Sequence, residues 1–192
     1  MEIRKIPYLD GGRELCVTGS CLLTASEDFI GDAIRLFEGD GAFVSHAAAV
    51  VRFPSSLVSV ERVTLIESLE HGPTPTYLSH YFTGFTGRLF LFTPDGLTPE
   101  IQAGFAAWAL DKALKRVKYG YYAIAEQTLG HVQEENPNVE IFCSDFVAQD
   151  WEANGINRLT SFPPTLAAQP SDIPRWWSGS VVELVGPFVA DA

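Results

Sequence analysis

From Ala42 to Phe53 the chain is apolar on both faces of an extended strand, and no other run constrains the fold as strongly. Phe43, Ser45, Ala47, Ala49 and Val51 alternate onto one face, and Val44, His46, Ala48 and Val50 onto the other. A strand with two apolar faces must be covered on both sides, as in the middle of a layered sheet. The alanines leave room for something to pack closely. His46 is the exception, an ionisable ring near the start of a face made of Val and Ala. Taken alone, a histidine in such a place is more often a satisfied core residue than a functional one.

A second anomaly follows. Val63 to Leu69 alternates so that Val63, Leu65, Glu67 and Leu69 share a face. A carboxylate among aliphatic neighbours needs a partner that bonds to it or neutralises it, unless the strand is an edge and Glu67 faces water. The turn around Pro54-Ser55-Ser56 can fold the two strands side by side and bring Glu67 next to His46. That arrangement accounts for both anomalies together.

The third stretch is Ile141 to Gly155. Phe146, Val147, Ala148 and Trp151 recur on one side of a helical period, and Gly155 stops it. Cys143 then stands at or just before the helix N-terminus. Free backbone N–H groups and the positive end of the dipole favour a thiolate in such a position. A buried cysteine plugging the helix base is the competing explanation.

The remaining chain supplies the frame. Arg13 to Thr18 reads as a short strand after the Gly11-Gly12 turn. Ser26 caps a helix with Ile30, Ala33, Ile34 and Phe37 on one face and Gly39 at its end. Gly72 to Gly87 reads as a surface loop, Arg88 to Thr93 as a buried strand, and Val181 to Val185 as a last strand. Thr98-Pro99-Glu100 opens a long helix that should end near Gly120. A short helix over Tyr122 to Leu129 and a polar loop over Gln133 to Asn138 precede the cysteine. The aromatic segment Thr76 to Phe85 and the Trp176-Trp177 pair are candidate walls of a cleft. No repeat or break divides the chain, so residues 1–192 are expected to form one α+β domain.

Charge and cysteine content narrow the function classes. A formal net charge of −11 argues against nucleic acid or an anionic membrane as a partner held by bulk electrostatics. The basic cluster Lys112, Lys115, Arg116 and Lys118 fits the C-terminal end of a helix. Three cysteines with a Cys16-x4-Cys21 spacing suit neither a disulfide scaffold nor a zinc knuckle, and a reduced, cytoplasmic setting is expected. There is no apolar stretch of membrane-spanning length and no leader-like N-terminus.

Cys143, His46 and Glu67 are the residue types of a thiol hydrolase, with a nucleophile, a base that takes and returns its proton, and a carboxylate that orients the base. A zinc site using Cys143 and His46 lacks any paired-ligand motif in support. His71, His80 and His131 lie in predicted loops and are expected to be exposed.

The order of these segments resembles the circularly permuted papain-like hydrolases of the YiiX/YebB type, related to NlpC-type peptidases and the lecithin:retinol acyltransferase-like group. The segments that carry the likeness are Ser45-His46-Ala47-Ala48-Ala49-Val50-Val51, Leu65-Ile66-Glu67-Ser68, Phe142-Cys143-Ser144-Asp145-Phe146-Val147 and Pro170-Ser171-Asp172-Ile173-Pro174. The resemblance implies an antiparallel, partly rolled sheet packed against the cysteine helix. It implies Cys143 as nucleophile, His46 as general base and Glu67 as its orienting group, with no metal or organic cofactor. Where the family often has Cys-Ser-Glu this chain has Cys143-Ser144-Asp145. Where it often has Tyr-Asp the chain has Tyr119-Gly120, so Tyr119 as an extra oxyanion donor is the weakest of the implied roles. The expected substrate is a small molecule, peptide or other acyl compound. An acyltransferase, or a binding module that keeps the fold without the chemistry, would share the same sequence features.

Overall fold

Seven strands form one sheet in the computed structural model of the chain, which describes residues 3–26, 43–53, 62–82, 85–115, 117, 143–159 and 168–186. In chain order the strands are β1 (Arg4–Pro7), β2 (Cys21–Ser26), β3 (His46–Val51), β4 (Thr64–Leu69), β5 (Gly72–Tyr77), β6 (Gly87–Pro94) and β7 (Gly179–Val185). Among the described residues the α-helices are α1 (Arg13–Leu15), α2 (Pro99–Leu114), α3 (Cys143–Ala153) and α4 (Ile173–Trp176). The sheet runs β1-β7-β6-β2-β3-β4-β5, and every neighbouring pair is antiparallel except β1 with β7. This is a mixed α+β fold. No described helix is long and apolar enough to cross a membrane.

The two-faced strand sits where its sequence requires, between β2 and β4, with Ala47 to Val51 wholly buried. On one face Ala47, Ala49, Val51 and Ile66 join Phe146, Val147, Ala148 and Trp151 of α3 in a single core. The small alanines let the helix lie close to the sheet, and the burial of each large α3 side chain contributes about 1.5–3 kcal/mol. Trp151 is the largest of these. Its ring meets Phe92 and Trp177 at centroid distances of 5.6 and 5.4 Å, and its Nε1–H donates to Gly19 O at 2.8 Å. On the other face Ala48, Val50, Leu65, Leu89 and Leu91 pack under Tyr8, Cys16, Leu78 and Phe82.

Several local expectations hold. Thr98 caps α2 by accepting from Ile101 N–H at 3.3 Å, with Pro99 in the first turn. Gly155, at φ +86°, follows the end of α3 in a conformation that glycine adopts without strain.

Others are corrected. Arg13 to Thr18 is not a strand: Arg13–Leu15 is one helical turn, followed by the tight turns that Val17 N–H closes on Leu15 O and Ser20 N–H on Val17 O. The strand lies further on, in β2, whose alternating apolar residues feed both cores. Gly72 to Gly87 is not all loop, because Gly72–Tyr77 pairs with β4 as the edge strand β5. Pro73 and Pro75 conceal it in the sequence, and an edge is the place in a sheet where their missing N–H groups are tolerated. Helix α2 stops at Leu114 rather than near Gly120. The expected helices after Ser26 and over Tyr122 to Leu129, the Gln133–Asn138 loop, and Tyr119 lie outside the described residues.

Candidate functional site

Strand pairing brings the first two polar residues together. Ala49 pairs with Ile66 and Val50 with Leu65. Carried one residue further, that register sets Glu67 opposite Ala48 and makes His46 its diagonal neighbour on the same face, within reach of long side chains. Ala48 is small enough to leave the space between them open. His46 Nε2 and Glu67 Oε2 are 3.0 Å apart, with the histidine side chain 17% exposed and the carboxylate 6%.

Helix α3 supplies the third group. Cys143 is its first residue and is 6% exposed, with the backbone N–H groups of the first turn beside it. Cys143 adjoins His46 closely enough to act on the charge of its ring, as Glu67 does. Burial works against a charge on the ring, but the adjoining Cys143 and Glu67 more than compensate and raise its pKa to about 10. His46 therefore favours the imidazolium form.

Two hydroxyls hold these elements in place. Ser144 Oγ donates to Ala168 O at 2.6 Å, and Ser171 Oγ accepts from Phe43 N–H at 3.2 Å and donates to Val44 O at 3.3 Å. The segment around the 3-10 turn Pro170–Asp172 thus ties the start of the cysteine helix to the residues that lead into β3. This is the proline-containing stretch singled out in the sequence.

Sequence reasoning missed Tyr81. Its hydroxyl donates to Glu67 Oε2 at 2.5 Å, so one oxygen receives both the tyrosine and the histidine. Tyr81 lies in the helical turn Leu78–Phe82 that follows β5, inside the stretch read as loop, and nothing local in the sequence marks it.

The other candidates separate from this cluster. His71 and His80 are exposed, and His131 lies outside the described residues. Trp176 and Trp177 do not wall a cleft, because they are 8% and 2% exposed and belong to the α3 core. Arg158 covers both rings, and Trp177 Nε1–H donates to Ile156 O at 3.3 Å. Thr76, Tyr77 and His80 line a cavity of about 320 Å³ beside β5, along with Phe53, Arg62 and Thr64. None of the residues that line it belongs to the His46 cluster. Cys16 and Cys21 are fully buried, and burial pushes the Cys16 thiol up to about 12 and the Cys21 thiol well above its usual value. Among the described residues no group of three or more His, Cys, Asp or Glu is arranged to hold a metal ion.

Solved structures include chains of similar fold. The crystal structure of the metalloprotein YiiX from Escherichia coli O157:H7, a DUF1105 protein, superposes with a TM-score of 0.54 over 91% of this chain and 93% of that one. The two share the YiiX-type fold at 15% sequence identity. No protein-family model matches the chain, and no curated protein matches it.

Proposed function

We propose that the protein is a cysteine hydrolase of the permuted papain-like type, acting on an amide, peptide or ester through an acyl-enzyme. The observation that carries the reading is His46, which lies 3.0 Å from the Glu67 carboxylate and adjoins Cys143 at the start of α3. The segment order supports it too, with the histidine strand first, the carboxylate strand next and the cysteine helix last.

In this reading the Cys143 sulfur attacks the acyl carbon, and N–H groups at the start of α3 stabilise the oxyanion that develops. The His46 imidazolium gives its proton to the leaving amine or alcohol, and a thioester forms as the C–N or C–O bond breaks. His46, now neutral, takes a proton from water, which attacks the thioester; the C–S bond breaks, the acid leaves, and the thiolate and imidazolium are restored. Glu67 fixes the ring through Nε2 and favours its charged form. YiiX is a metalloprotein, and among the described residues here no group of three or more His, Cys, Asp or Glu is arranged to hold an ion.

The test is limited iodoacetamide labelling of the native protein near pH 6, mapped by mass spectrometry. Cys143 should label before Cys16 and Cys21, and His46→Ala should slow Cys143 alone. Slow labelling of all three cysteines in folded protein, indifferent to His46, would point to a binding module.

A further inference from the structure

We propose that Tyr81 is a positioning residue that clamps the Glu67 carboxylate and, through it, sets the orientation of His46. The chemical consequence rests on the hydrolase reading above, whereas the clamp itself rests on geometry.

A glutamate in a catalytic relay has a mechanical weakness. The torsion that spins its carboxylate is broad and nearly two-fold, so one hydrogen bond from histidine does not fix the plane of the group. Here a second donor reaches the same oxygen. Tyr81 O–H lies 2.5 Å from Oε2, and His46 Nε2 lies 3.0 Å from it. With both bonds made, rotation of the carboxylate breaks two contacts in a site where little water is available to replace them.

The tyrosine is itself well held. Leu78 and Phe82, in the same turn, are buried in the core on that face of the sheet, and the Tyr81 ring packs edge-on against Phe85 at 5.2 Å and 72°. A phenol offers one O–H on a rigid ring, so fixing the ring fixes the donor to within a single rotation. Burial and the neighbouring Glu67 push its ionisation above the usual range, so the proton stays in place to be donated. The turn after β5 therefore has a use beyond covering the sheet, because it carries the donor that holds Glu67 toward His46.

Tyr81→Phe removes the hydroxyl and keeps the ring. The first readout is the His46 Nε2–H signal in ¹⁵N-labelled protein, taken on a Cys143→Ala background so that no thiol chemistry contributes. Its exchange with water should accelerate by about tenfold when the clamp is lost. In protein with Cys143 intact, the pH profile of Cys143 alkylation should change as well, with the rate near pH 6 reduced by about threefold to tenfold. An unchanged His46 signal and an unchanged pH profile would overturn the proposal, even if Tyr81→Phe lowered thermal stability. The two readings fail separately. Alkylation of Cys143 that ignores His46→Ala removes the hydrolase reading but leaves the clamp to be decided by the His46 signal. A His46-dependent thiol whose histidine signal ignores Tyr81 removes only the clamp.

Discussion

His46 Nε2 lies 3.0 Å from Glu67 Oε2 across the β3–β4 pair, and each residue supplies the partner that the other's apolar strand face lacks. Removing the charge while keeping the shape isolates what that pairing contributes. In Glu67→Gln the amide oxygen can take the place of Oε2 and still accept from both His46 and Tyr81. His46 should then titrate at lower pH than in the wild type, and Cys143 alkylation near pH 6 should slow by about tenfold. An NMR titration of His46 together with the labelling rate checks both effects.

The raised pKa of His46 also predicts how stability depends on pH. Burial opposes its charge, the Cys143 and Glu67 partners overcome that opposition, and the ring holds its proton up to about 10 in the folded protein, against 6.5 as the ordinary value. The folded state therefore binds more protons between those limits. The contribution is complete below about 6.5 and is lost as pH rises toward 10. Urea unfolding from pH 6 to 10 should show a steeper loss of stability in the wild type than in His46→Ala.

Asp150 carries a separate pH signature. It is fully buried in α3, its Oδ1 accepts from Asn154 Nδ2 at 2.9 Å, and its Oδ2 has no hydrogen-bond partner among the described residues. Burial raises its pKa to about 9, although the Asn154 bond pulls the other way. With the folded value raised, the Asp150 contribution is complete below about 3.8 and is lost as pH climbs toward 9. Asp150→Asn, which keeps an acceptor for Asn154, should stabilise the protein by about 1–3 kcal/mol at pH 8. The gain should shrink near pH 4 in the same denaturation assay.

Trp151 joins α3 to the sheet and to Trp177, so its truncation should loosen the helix that carries Cys143. Trp151→Ala leaves a large cavity and an unpaired Gly19 carbonyl, and should cost about 3–5 kcal/mol. Thermal unfolding measures it. Trp151→Phe, which loses the indole bond but retains most of the packing, should cost less.

How much of this was legible in the sequence depended on the range of the interactions. His46 and Glu67 could be paired because each was out of place on its own strand and the strands adjoined. Cys143 was marked by the helical period that follows it. Strand β1 gave no comparable sign, since Arg4–Pro7 is short and takes its partner, β7, from the far end of the chain. Prolines hid β5, and Tyr81 acquires its role only when the turn after that strand folds back over Glu67. The Trp176-Trp177 pair looked like a contact surface because the bonds and the Arg158 guanidinium that bury it come from other segments.

Whether Cys143 becomes acylated is the central question. The protein should be mixed briefly with an activated acyl ester, such as a p-nitrophenyl ester, quenched in acid and examined as an intact chain and then as peptides. The predicted result is a burst of nitrophenol with one acyl group added at Cys143, absent in Cys143→Ala and much slower in His46→Ala. A folded protein that releases nitrophenol at the same rate in all three forms, with no acyl group on Cys143, would contradict the account.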